Sequence, residues 1–299
     1  MGAVNLVIGA VEAGGTKMVC AVGDENGSFT ERAVFPTETP EITIPKMLEF
    51  FTKFPLDALG IGCFGPLDLN PQSNTYGFIT NTPKLAWRNV NILSEFEKGL
   101  NIPAALDTDV NGAALGEAVL GAGKGKDTII YITIGTGVGV GVYLNGMLLH
   151  GLIHPEAGHI MLTKREDDPF EGICPYHHHC MEGLASGPSI RARWGKDAKE
   201  LVDNDAVWEL EADYIAQAVS TYILAYSPER IILSGGVMHQ KQLFPLIRKK
   251  VKEQLNGYLS HPVFDGTLED YIVWAGLGDD AGIKGALLLG KSAVLKKRA

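Results

Sequence analysis

Apolar runs punctuated by short glycine and polar breaks organise the chain from its first residues. Residues 5–11 are apolar and rich in β-formers, Ala13-Gly14-Gly15 interrupts them, residues 16–22 resume the run, and Asp24-Glu25-Asn26-Gly27 closes it. That order predicts strand, tight turn, strand, turn, strand. The same order returns at residues 128–134, Gly135-Thr136-Gly137, residues 138–144, Asn145-Gly146 and residues 147–149. Two glycine-turned β units in one chain predict an internal duplication. Between them, residues 42–54 and 90–99 space apolar side chains as helices do, and residues 58–64 read as a buried strand. Residues 102–106 are strand-like and 113–120 helix-forming. Further on, residues 205–226 predict a long helix, 230–234 a strand, and 243–255 an amphipathic helix with Phe244, Ile247, Val251 and Leu255 on one face. Residues 279–289 predict a last helix, opened by Asp279-Asp280 as N-cap and acidic first turn. The mixture is of the α/β class.

Composition narrows the picture. At 299 residues the chain exceeds what one core usually holds, so two lobes with a ligand cleft between them are expected. The crossing falls near residues 115–126, with no low-complexity linker. Glycine is abundant at 36 residues, yet 45% of positions are hydrophobic and only 15 are proline, which excludes collagen and disorder. A net charge of −9 without blocks of like charge argues against nucleic acid as a partner. No apolar run approaches the roughly 20 residues that span a bilayer, and residues 1–11 lack the basic segment of a signal peptide. The expected location is the cytoplasm, away from any membrane. In that reducing compartment, four cysteines do not make a disulfide scaffold, and the close pair Cys174 and Cys180 suits a metal better. Cys20 and Cys63 sit in strand runs and are expected to be buried.

The glycine turns suggest the chemistry. Gly14-Gly15-Thr16-Lys17 is followed by a strand, whereas a Walker A loop opens a helix, so that reading fails. What remains is a turn whose backbone N–H groups, with the Thr16 hydroxyl, can approach a phosphate closely. Gly135-Thr136-Gly137 repeats this, and Ser234-Gly235-Gly236 adds a third turn after a strand and just ahead of a helix, where an anion or a flat base could rest. Glu12 flanks the first turn and could bind Mg²⁺ directly or through water. Asp109 stands at a strand-to-helix junction, where Asp107, Asp109 and Asn111 all qualify as helix caps.

Val11-Glu12-Ala13-Gly14-Gly15-Thr16-Lys17, Gly62-Cys63-Phe64-Gly65-Pro66-Leu67-Asp68, Asp109-Val110-Asn111-Gly112-Ala113-Ala114-Leu115-Gly116-Glu117, Thr133 to Gly139, Glu156-Ala157-Gly158-His159 and Gly187-Pro188 occur in the order seen in the ROK family of bacterial sugar kinases and repressors, which the chain resembles. Within it, Ile79-Thr80-Asn81-Thr82-Pro83-Lys84-Leu85 and Gly278-Asp279-Asp280-Ala281-Gly282 are similar to the zinc-dependent fructokinases. The resemblance implies an actin-like ATPase (ribonuclease H-like) fold of two duplicated α/β lobes: residues 1–117, completed by the helix at 285–299, and residues 118–284. It makes Asp109 the general base and gives Asn81, Asp109, Glu156, His159 and Glu182 to the sugar. Nucleotide contacts fall to Gly14, Gly15, Thr16, Lys17, Gly135, Thr136, Gly137, Pro188, Gly235, Gly236, Val237, Met238 and His239. It also implies ATP as co-substrate, Mg²⁺ and a homodimer.

Cys174-Pro175-Tyr176-His177-His178-His179-Cys180 packs two thiols and three imidazoles into seven residues. With His159 assigned to a metal by the resemblance, Cys174, His177 and Cys180 complete the Cys₂His₂ set that structural zinc prefers. The family usually carries C-x-C-G-x-x-G-C-x-E here. In this chain the first thiol is displaced, the middle one is His, and both glycines are absent, which leaves the choice among His177, His178 and His179 open, with His177 favoured by even spacing. The function expected is ATP-dependent 6-phosphorylation of fructose, with mannose or glucose as alternative substrates and a non-catalytic sugar sensor as the rival of another class. A repressor would need a helix-turn-helix, for which the hairpin starting at residue 5 leaves no room; a zinc hydrolase would need an open metal position.

Overall fold

The computed structural model describes residues 6–298, with side chains to 295. Its first sheet is built from β1 (Ile8–Ala13), β2 (Lys17–Gly23), β3 (Phe29–Pro36), β4 (Ala58–Cys63) and β7 (Ala104–Thr108), in the order β3-β2-β1-β4-β7. β5 (Phe78–Ile79) and β6 (Val90–Asn91) form a separate small ribbon. The second sheet takes β8 (Ile129–Ile134), β9 (Val138–Leu144), β10 (Met147–Leu148), β11 (Arg230–Ser234) and β12 (Ile272–Trp274) in the order β10-β9-β8-β11-β12. Each sheet pairs its first two long strands antiparallel and then adds parallel strands: β1 with β4 and β4 with β7, β8 with β11 and β11 with β12. The duplication expected from the glycine-turned units is thus a duplication of topology.

Helices are α1 (Pro40–Phe51), α2 (Ile92–Leu100), α3 (Asp109–Leu120), α4 (Met181–Ala185), α5 (Gly187–Trp194), α6 (Asp205–Tyr226), α7 (Leu243–Leu255), α8 (Pro262–Asp265) and α9 (Ala281–Arg298). No helix among the described residues is long and apolar enough to cross a membrane. By internal contacts the chain divides into unit 1, residues 1–124, 147–155 and 279–299, and unit 2, residues 125–146 and 156–278.

In unit 1 the strand alternation sorts two cores. Val11 and Ala13 of β1 face one side, with Met47 and Phe51 of α1 and Phe96 of α2; Ile8 and Ala10 face the other, with Ile283, Ala286 and Leu287 of α9. All these side chains are buried, and each large one contributes about 1.5–3 kcal/mol by burial. A continuous apolar run is what a strand covered on both faces requires, which accounts for β4 being buried throughout. Helix α9 comes close enough that a methyl group on Gly60 would strike the Ala286 carbonyl, and one on Gly285 the Gly112 carbonyl. In unit 2, α6 and α7 pack against one another, and Trp208, Ile215, Tyr222, Ile247 and Val251 are all buried.

The structure corrects three local expectations. The last helix does not end at 289: a single 3₁₀ turn, Gly278–Asp280, precedes α9, which runs past Gly290 because its bare Cα fits against Gly60. Helix α3 begins at Asp109, and its cap is Thr108, whose Oγ1 accepts the Asn111 N–H at 3.1 Å; Asp107, Asp109 and Asn111 are not the cap. Behind Gly235-Gly236 there is only a 3₁₀ turn, Gly236–His239, with α7 starting at Leu243. Gly187-Pro188 opens α5, where proline suits the first helical turn because its missing N–H would be unpaired anyway.

Candidate functional site

In unit 1 the chemistry gathers at the carboxyl ends of the parallel strands, where α/β sheets commonly bind ligands. Glu12, Gly62 and Asp107 occupy one row across β1, β4 and β7. Asp107 is committed to structure, accepting the Thr108 N–H, the Asn111 Nδ2–H and His150 Nε2, each at 2.8 Å. Asp109, one step into α3, is half-buried; Oδ1 accepts the Val110 N–H at 2.9 Å and Oδ2 has no hydrogen-bond partner among the described residues. Burial raises its pKa to about 6, against the pull of the backbone N–H groups. Glu12 is raised to about 7, first by burial and then by the charge of Asp109, while Lys17 and Arg32 oppose the shift. Two carboxyls held above the usual carboxylate range suit a site where a cation or a proton is to be received.

The hairpin at Gly14 to Lys17 is braced by Thr37, which donates its N–H to Thr16 O at 3.0 Å and its hydroxyl to Gly14 O at 2.8 Å. Thr16 and Lys17 are exposed. Asn81 is exposed beyond β5, after Thr80, whose N–H and hydroxyl both donate to Pro66 O at 2.8 and 3.1 Å.

In unit 2 the glycine turns converge. The Gly187 N–H donates to Gly135 O at 2.8 Å, and a methyl group on Gly187 would lie 3.8 Å from Val237 Cγ2. Gly235 has φ 92° and packs against the Ile134 backbone so closely that a side chain would collide with the carbonyl. Gly135, Gly137, Pro188 and Gly236 therefore share one neighbourhood. Thr136 and His239 are exposed there, His239 edge-on to Trp274 at 5.1 Å; Val237 and Met238 are buried and can offer a ligand only their backbone. Glu182 joins this cluster: its Oε2 accepts the Val138 N–H at 3.0 Å, and a methyl group on Gly137 would come 2.7 Å from that oxygen.

Beside it lies a candidate metal centre. Glu156 is exposed and precedes the 3₁₀ turn Ala157–His159, whose Gly158 abuts the Val138 carbonyl. His159, Cys174, His177 and Cys180 bring one ligand atom each within 4.8 Å of the others. His159 Nδ1 lies 3.4 Å from Cys180 Sγ and 3.8 Å from Cys174 Sγ, and His177 Nδ1 lies 3.7 Å from Cys174 Sγ. Tetrahedral zinc, at about 2.3 Å from sulfur and about 2.0 Å from nitrogen, sets S···N edges of about 3.5 Å, so the donor set fits. His178 takes a left-handed φ of 49° in the turn closed by its N–H to Cys174 O, and His179 Nε2 is 3.4 Å from Glu171. Cys180 Sγ also accepts the Gly183 N–H at 3.3 Å, capping α4 two residues before the helix turns Glu182 inward. Burial pushes the Cys180 thiol up to about 11.

Three features were not found by reading the sequence. Asp168, on the metal loop, pairs with Arg193 of α5 at 3.2 Å and accepts the Tyr214 hydroxyl of α6 at 2.7 Å, while the guanidinium lies 4.5 Å from the Phe170 ring centre. His150 pairs with Asp107, and Lys84 meets the first glycine hairpin. The first two join residues far apart in the chain; for Lys84 a signal existed, its place in the same motif as Asn81.

Duplicated sheets of this order, each followed by glycine turns, with a carboxylate at a strand-to-helix junction, define an actin-like ATPase fold. The chain belongs to the ROK family, whose pattern matches residues 8–293. It is 47% identical over 289 residues to the fructokinase of Pediococcus pentosaceus, covering 97% of this chain and 99% of that one. Among solved structures it is similar to the ROK hexokinase of Thermus thermophilus, with a TM-score of 0.80 at 26% identity over 98% of this chain and 100% of the other. It is also similar to a ROK family glucokinase of Streptomyces griseus in complex with glucose and AMPPNP, with a TM-score of 0.74 at 25% identity over 96% and 99%.

Proposed function

We propose that the protein is an ATP- and Mg²⁺-dependent fructokinase that phosphorylates D-fructose to D-fructose 6-phosphate, with Asp109 as general base. The observation that carries the chemistry is the half-buried Asp109 carboxylate with one oxygen uncommitted at the start of α3; the fructokinase relative supports the choice of sugar. Phosphoryl transfer asks for positioning, charge neutralisation and an acceptor for the hydroxyl proton. Asp109 Oδ2 takes that proton, while the Val110 N–H holds the other oxygen in place. Asn81, Glu156, His159 and Glu182 orient the sugar hydroxyls in this reading. Gly14 to Lys17 and the converging turns of unit 2 receive the nucleotide, the N–H groups of Gly14 and Gly135 being spent inside their own turns on Lys17 O and Gly137 O. Mg²⁺ held through Glu12 would neutralise phosphate charge, and the raised pKa of Glu12, which a nearby positive charge would relieve, supports a cation there. Zinc in the Cys₂His₂ set would be structural, and a homodimer is part of the same proposal, supported by family membership.

ADP release with ATP and Mg²⁺ against fructose, mannose, glucose, N-acetylglucosamine and N-acetylmannosamine is expected to be fastest with fructose. No turnover on any of them would sink the kinase reading. The pH profile carries a second expectation. Asp109 must be ionised to accept a proton and its pKa is raised to about 6, so kcat/KM should fall about tenfold per pH unit below that value and level off above it. An acid limb near pH 4, the range of an unperturbed carboxylate, would contradict it.

A further inference from the structure

The motif that presents Asn81 holds a second functional side chain. A methyl group built on Gly15 would lie 2.7 Å from Lys84 Cε and 3.5 Å from Lys84 Nζ, so the lysine lies across the side-chain-free position of the hairpin. Its backbone is fixed there. The Lys84 N–H donates to Thr82 Oγ1 at 3.3 Å, Lys84 O accepts the Trp87 N–H at 2.8 Å, and Arg88 Nη2 donates to Thr82 O at 3.1 Å. Trp87 is buried, donates its indole N–H to Glu38 O at 2.8 Å and meets Phe64 edge-on at 5.9 Å. The ammonium, by contrast, is uncommitted. Lys84 is half-buried, and its Nζ has no ion pair or hydrogen bond among the described residues.

A half-buried cation without a carboxylate, resting on a glycine turn able to present N–H donors, is complementary to a phosphate group. We infer that Lys84 is a phosphate-contacting residue, its ammonium holding the terminal phosphate of ATP over Gly15. This rests on the kinase reading and on the assignment of the hairpin to the nucleotide. Lys84 keeps its proton and supplies charge while the phosphoryl group moves to the sugar oxygen. Because Lys84 and Asn81 share one braced segment, the residue that touches sugar and the residue that touches phosphate are set by the same backbone.

The test uses Lys84→Met and Lys84→Arg in the full chain with Mg²⁺ and fructose. For Lys84→Met, kcat is expected to fall about 10²-fold with KM for fructose within about threefold, and Lys84→Arg to recover part of the loss. Calorimetry should show a non-hydrolysable ATP analogue binding the Met variant no better than ADP does, while the unaltered protein prefers the analogue. A kcat within threefold of the unaltered protein, an equal loss of analogue and ADP binding, or an Arg variant no better than Met would each overturn the assignment. If the unaltered protein releases no ADP with any sugar, the kinase reading fails instead, and the analogue-against-ADP comparison still decides the role of Lys84.

Discussion

Asp109→Asn is expected to lower kcat by about 10³-fold while leaving sugar and nucleotide affinity within about threefold. The amide keeps the size of the carboxylate and can still accept the Val110 N–H, but it has no basic oxygen to take a proton. The fold has little reason to respond, since Thr108 rather than Asp109 caps α3 and Asp107 carries the bonds to Thr108, Asn111 and His150. One side effect is expected and measurable. The Asp109 charge helps to raise Glu12, so removing it should bring the Glu12 pKa down from about 7. Steady-state kinetics with calorimetric binding checks the first claim, and near-native turnover in the variant would end the assignment of Asp109 as base.

Removing the metal should have the second large effect. Freshly purified protein is expected to hold about one zinc per chain, and its chelation, or Cys180→Ser, should weaken sugar binding about tenfold or more and nucleotide binding far less. Cys180 caps α4 through the Gly183 N–H, and Glu182 lies two residues on in that helix, so loosening the sulfur loosens the helix that presents that carboxylate. The damage should stay local. Arg193 and Tyr214 hold Asp168, and with it the far limb of the loop, through contacts that do not involve the four ligands. Metal analysis finding no zinc, or a chelated protein that binds sugar as before, would overturn this.

What could be read from the sequence was what neighbours in the chain decide. The glycine-turned strands follow from alternation and turn residues acting over a few positions, and α6 and α7 from apolar spacing. The choice of cap at the start of α3 was not legible, because Asp107, Thr108, Asp109 and Asn111 all have suitable side chains, and Asp107 is drawn away by bonds to Asn111 and to the distant His150. The same holds for the metal loop. Even spacing pointed to His177, while the turn that carries His178 left-handed and sends His179 toward Glu171 is a property of the folded loop. The Asp168 and Arg193 pair depends on long-range packing, which no local pattern encodes, whereas the place of Lys84 in the same motif as Asn81 was a signal that its seat on Gly15 makes plain.

Helix α9 covers β1 and β4, yet it is synthesised after the whole of unit 2. On the ribosome, therefore, the strands that bear Glu12 and the glycine hairpin wait with one face bare, while unit 2 can already have closed its own core. Any catalytic competence of unit 1 is deferred to the end of translation, and nascent chains paused short of α9 are the ones most in need of a chaperone.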